Sequence, residues 1–236
     1  MKASQLLNHP QLGLIELRMR RGSVNVSARW SHDRLIVTIP AQTDPLRLYD
    51  VINSMAPRLM ARKPKPAGYI VPSAIELPDA KFILGPQSIA PESVTARIDG
   101  TSAQIGVGTA IDPTSTSGAA TISKMLVRCA SRMAPAILLP RARALAAQLG
   151  LHPAAWSISA GHRILGRCSV RGEIALSRDL VFLPQHLRDY IVWHELAHLS
   201  EMNHSPKFHA LCDAYCSGRE KALAAELRRY PWPIIR

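Results

Sequence analysis

The chain has 236 residues, 47% hydrophobic and 19% charged, enough apolar material for a real core, which excludes a disordered or fibrous polypeptide. No uncharged apolar run reaches the roughly 18 residues of a membrane helix; the stretch 134–151 is cut by Arg141 and Arg143, and residues 1–10 lack a secretory pattern, so we expect a cytoplasmic protein with no membrane partner. The net charge of +12 sits at both ends, +7 over residues 1–65 and +8 over 124–236 with −3 between, a balance suited to nonspecific nucleic acid or other polyanions, although no nucleic-acid motif accompanies it.

Taken in chain order, the opening is β-like: Leu14–Met19, Val24–Ala28 and Arg34–Ile39 are short, partly alternating segments separated by Gly22 and by His32-Asp33. A helix is expected next, with Asp44 as N-cap, Pro45 at its first position and Leu48, Ile52 and Met55 on one face. Pro57 and the stretch Lys63-Pro64-Lys65-Pro66 should end it, the latter as a linker. Strand-like pieces follow at Lys81–Leu84, Val94–Ile98 and Ala103–Val107, then a polar loop from Asp112 to Gly118. Helical spacing of Ile122, Leu126, Cys129 and Met133, then Leu145 and Leu149, predicts two helices broken around Pro135 and Pro140. Ser157–Ala160, Arg163–Cys168 and Glu173–Ser177 read as three strands. Gln185–Asn203 reads as helix, Ser205-Pro206 as the start of another to about Tyr215, and Arg219–Arg228 as the last. No internal repeat is visible. The four cysteines (Cys129, Cys168, Cys212, Cys216) suggest reduced thiols rather than a disulfide framework. The expected organisation is α+β, a β-rich region over residues 1–112 followed by a catalytic half over 113–236.

The chemistry concentrates in His194-Glu195-Leu196-Ala197-His198. Residues four apart on a helix stand one turn above each other, so both imidazoles can meet one ion, and Glu195 lies about 100° around the helix, within reach of a water on that ion. A catalytic zinc needs three protein ligands and one open position. His204 is the leading third ligand, because Asn203 tolerates the left-handed conformation that lets the chain turn back; His209 and Glu220 are the alternatives. Four of the nine histidines fall between positions 194 and 209, a density that buried core histidines do not produce.

Leu165–Ser169, Ile174–Ser177, Leu183-Pro184 and His194–Phe208 together resemble the YgjP-like metallopeptidases, compact zincins related to the SprT and WLM groups. The likeness is densest from about residue 120 to 232. Two positions depart from the family pattern: Leu165 where Trp is common, and His209 after Phe208 where an aromatic is usual. The resemblance implies a zincin-type half, helices on a small antiparallel sheet, with one zinc per chain on His194, His198 and His204 and with Glu195 catalytic. It also implies that an extended peptide or protein substrate lies against an edge strand, for which Ile174, Ala175 and Leu176 are the candidates.

The reaction expected of such a site is peptide hydrolysis. Zinc lowers the pKa of its water toward about 7, Glu195 takes the proton as that water attacks, and the metal stabilises the developing oxyanion. Tyr190, one turn before His194, is a candidate oxyanion contact, with packing and a surface hydroxyl as the plainer reading. His209 is a candidate substrate contact, and Glu201 a candidate acceptor for a ligand imidazole. The competing reading is a polyanion- or DNA-associated protein in which charge does the main work.

Overall fold

A computed structural model describes residues 4–22, 24–31, 34–41, 43–62 and 71–235. The Lys63–Pro66 linker and the His32-Asp33 break lie outside the described residues. The described elements run β1 (Ser4–His9), β2 (Gly13–Arg20), β3 (Ser27–Ser31), β4 (Arg34–Pro40), α1 (Pro45–Ala61), β5 (Ala74–Leu77), β6 (Ala80–Gln87), β7 (Val94–Asp99), β8 (Ser102–Gly108) and α2 (Thr116–Gln148). They continue as β9 (Ala155–Ser159), β10 (Gly166–Cys168), β11 (Glu173–Ser177), a 3-10 turn (Arg178–Phe182), α3 (Gln185–Ala197), α4 (Pro206–Tyr215) and α5 (Glu220–Arg229). The class is α+β. No helix among these residues is long and apolar enough to cross a membrane.

The chain divides into two compact units, 1–68 with 115–120, and 69–114 with 121–236. Composition draws its line at 112/113, whereas the second sheet packs into the larger unit: Phe82, Ala103 and Ile105 share one core with Ile122, Leu126, Met133 and the helices that follow. In the smaller unit Ile15, Leu35 and Val37 bury against Leu48, Ile52, Ala56 and Leu59 of α1.

The first two sheets share a topology that the residues do not advertise. The first has order β1-β2-β4-β3 and the second β5-β6-β8-β7. Each is two antiparallel hairpins joined through a parallel pair, β2 with β4 and β6 with β8, and a helix follows each. Turns and alternating burial specify such a topology without any repeated side chain, which is why no sequence repeat accompanies it. Asp99-Gly100 closes the β7–β8 hairpin, and Gly100 adopts φ +55°, which a β-carbon would disfavour.

Three prolines expected to end helices do not. α1 runs through Pro57 to Ala61, because Ala56 before the ring and Leu59 after it keep the buried stripe continuous. α2 is one 33-residue helix containing both Pro135 and Pro140. Both rings are exposed, while Met133, Ala134, Ile137, Leu138 and Ala142 keep the inward face continuous. A lost backbone bond on the solvent side costs least, and continuous burial outweighs it.

The third sheet has order β10-β11-β9, with β11 antiparallel to β10 and parallel to β9, so it is mixed rather than purely antiparallel. This corrects the expectation that Glu173–Ser177 is an edge strand. Ile174 and Leu176 are fully buried in the core and cannot line an edge, while Ala175 lies on the sheet's other face, half-buried. The edges are β10 and β9, and β10 is the one that lies against α3.

Buried charges then fix the helix that follows. Arg188 is 5% exposed and donates to the carbonyls of Leu183 (2.7 Å) and Val181 (2.9 Å) and to Asp79 (2.5 Å). Asp189, equally buried, accepts a two-pronged pair from Arg141 of α2, 3.0 and 2.7 Å. Removing Arg188 strands two buried carbonyls. Arg188→Ala should lower unfolding free energy by about 2–4 kcal/mol, against under about 0.5 kcal/mol for exposed Arg143→Ala; chemical denaturation of both proteins makes the comparison.

Candidate metal centre

α3 carries its chemistry on a short, firmly buried scaffold. Leu187, Tyr190, Ile191, Leu196 and Ala197 face the core, and the helix stops at Ala197, six residues before the expected end. The last turn closes with Leu199 N–H to Leu196 O and Ser200 N–H to Ala197 O, both 3.1 Å. Asn203 is not left-handed, since Ser217 is the only non-glycine with positive φ among the described residues. Instead Ser205 N–H donates to Asn203 O at 2.8 Å, and that tight turn reverses the chain. Ser205 then caps α4, its hydroxyl accepting from Phe208 N–H at 3.2 Å, with Pro206 in the first turn.

Those turns bring His194, His198 and His204 together, with one nitrogen from each within 4.8 Å of the others. The Nε2 atoms of His194 and His204 are 3.1 Å apart. Two nitrogens bound about 2.1 Å from one tetrahedral ion would stand roughly 3.4 Å apart, so little adjustment separates this arrangement from a ligated one. The donor set fits a divalent transition metal. His198 Nδ1 donates to the Glu201 carbonyl at 3.0 Å, which fixes its ring and leaves Nε2 for the ion. The acceptor is thus the backbone of Glu201, whereas its carboxylate pairs with Lys207 at 2.9 Å.

Phe208, which sequence reasoning assigned no role, is the platform. It is fully buried, stacks on His198 at 4.4 Å, and meets His194 and His204 edge-on at 4.9 and 4.7 Å. The Ser-Pro cap three residues earlier is the signal that fixes its place. Burial first, then the neighbouring imidazoles, lowers the His194 pKa to about 4 and shifts His204 down as well. Those two rings are therefore neutral at neutral pH, as metal ligation requires.

Glu195 lies 4% exposed against β10. Burial pushes its carboxyl up to about 7, partly offset by the Cys168 backbone N–H. A β-carbon on Gly166 would come within 2.6 Å of Glu195 Cγ, so only glycine leaves room for this carboxylate. Across the β10–β11 pair, Ser177 N–H bonds Leu165 O (2.8 Å) and Ser169 N–H bonds Glu173 O (2.9 Å). With that alternation the backbone groups of Gly166 and Cys168 point to the free edge, beside Glu195.

The remaining candidates separate. His209 and Glu220 bond each other at 2.6 Å and stand outside the trio, although the His209 ring centre is 6.3 Å from that of His204. Tyr190 sits 6.3 Å from His194, but it is buried, not surface-facing, and burial pushes its hydroxyl up to about 12. All four cysteines are free thiols, and Cys129, Cys212 and Cys216 are buried. Purified protein equilibrated with zinc or cobalt should bind one equivalent per chain, and His204→Ala should lower affinity at least tenfold. Elemental analysis after desalting gives the stoichiometry, and His209→Ala serves as the comparison that should leave it unchanged.

No curated protein and no solved structure matches the chain. The family described as YgjP-like, metallopeptidase domain, matches residues 24–230, which spans both compact units and the histidine cluster. The chain therefore belongs to the YgjP-like metallopeptidase family.

Proposed function

We propose that the protein is a zinc-dependent peptidase in which His194, His198 and His204 hold the metal and Glu195 is the general base. The observation that supports this most strongly is three imidazoles sharing one locus beside a buried carboxylate. When bound, zinc would polarise the scissile carbonyl and make the attacking water acidic. Glu195 takes the proton from that water and returns it to the leaving amine. Burial favours the protonated carboxyl, which helps Glu195 hold the proton between the two transfers. The Cys168 N–H holds the carboxylate in place, and Gly166 gives it room.

An extended peptide adds to the outer edge of β10, where the Gly166 backbone groups and the Cys168 carbonyl face outward. This assigns to β10 the substrate role first expected of Ile174, Ala175 and Leu176. His209, oriented by Glu220, is our candidate contact to the substrate oxygen, and Tyr190 serves packing. Free thiols support a reducing compartment, and we place the protein in the cytoplasm.

Glu195→Gln should retain the metal and lower cleavage of a fluorogenic peptide library a hundredfold or more; equal activity would remove Glu195 from the mechanism. Gly166→Ala should also keep the metal, while turnover drops about ten- to a hundredfold, because the added methyl displaces the carboxylate. Metal content and kcat measured on the same preparations separate that outcome from loss of the site.

A further inference from the structure

The face of the catalytic sheet turned away from the histidines bears an open cleft of about 560 Å³. Its floor is small, Ser159 and Ala175, and its walls are His162, Arg163, Ile164 and Arg167. The wall is tied down. His162 Nδ1 bonds the fully buried Asp179 at 2.7 Å, and Ser177 Oγ donates to Gly161 O at 2.6 Å, so the loop 161–164 is anchored to the sheet. Neither Arg163 nor Arg167 has an acidic partner within 4.0 Å among the described residues. Glu173, the acid on the same face of β11, accepts from Ser169 at 3.4 Å.

Arg167 is the middle residue of β10, between Gly166 and Cys168. Alternation along a strand sends its side chain to the face opposite Glu195, into this cleft. A peptide added to the free edge of β10 must alternate in the same way. The side chains beside Gly166 and Cys168 face the histidines, and the one level with Arg167 lies on the cleft's face as Arg167's cross-strand neighbour, one strand out from the cleft floor. A long side chain can turn inward beside Arg167 to the cleft mouth, where the small residues Ala175 and Ser159 leave it room, and two arginines without acidic partners supply its complement.

We infer that this cleft is a specificity pocket for an acidic side chain, Glu or Asp, of the substrate peptide, with Arg163 and Arg167 as its selecting residues. The inference rests on the peptidase reading for the placement of the peptide, and its test measures binding rather than cleavage.

Full-length protein carrying Glu195→Gln and loaded with zinc would be titrated with dye-labelled, alanine-rich octapeptides bearing a single Glu, Gln or Lys at successive positions. At one position the Glu peptide should bind about fivefold more tightly than Gln, and Lys more weakly still. Adding Arg163→Glu and Arg167→Glu should reverse that order, whereas Arg143→Glu on exposed α2 should leave it unchanged. Equal binding of the three peptides overturns the proposal. So does a preference that Arg143→Glu reduces as much, because the net charge alone would then explain it. A wild-type protein that cleaves peptides without acidic preference would sink this inference and leave the peptidase standing; arginine-dependent binding in a protein that cleaves none would do the reverse.

Discussion

Three imidazoles drawn into one half-buried space repel one another if protonated and need a common cation, or a hydrogen bond, to occupy the lone pairs they turn inward. The rest of the catalytic unit serves that constraint. Phe208 lies under all three rings and denies them water from below. The Glu201 carbonyl holds one ring nitrogen of His198, so the other is the one presented. The short turn after Ala197 supplies the third ring without any strained backbone, since Ser205 and Pro206 restart the helix at once.

Rigidity of this kind needs support from outside the site. α3 is pinned by charges that would be costly if left alone: Arg188 is bonded to the Val181 and Leu183 carbonyls, and Asp189 is gripped by Arg141. On its other side β10 sets the approach of Glu195, with Gly166 allowing the contact and Cys168 donating to it. One short edge strand therefore positions the carboxylate proposed as the base and, on the same proposal, is the edge along which an extended peptide would lie. The same strand's central side chain, Arg167, reaches the opposite face, and in the proposed reading it would link the reaction to a choice of substrate.

Much of this was legible from the residues, and the exceptions have physical causes. The juxtaposition of His194 and His198 follows from helical spacing, and His204 was favoured over His209 and Glu220 by ligand type and its distance along the chain. His204 does come beside His194 and His198, but not by the Asn203 route, for the turn uses a backbone bond rather than a left-handed residue. Pro57, Pro135 and Pro140 misled because a local rule about proline carries no knowledge of which helix face is buried. The choice of Glu173–Ser177 as the edge failed for a related reason. Its run Ile174–Leu176 is consistent with an edge or a middle strand, and only pairing to both β10 and β9 decides between them. Phe208 and Arg188 act through distant partners, which no single stretch of sequence displays.

Anomalous diffraction at the zinc edge, on crystals grown from zinc-loaded protein, tests the central claim most directly. The account predicts one strong peak about 2.0–2.1 Å from a ring nitrogen of each of His194, His198 and His204, with the Glu195 carboxylate facing its open side. A peak held by His209 and Glu220 instead, or no ordered metal between the three rings, would contradict it.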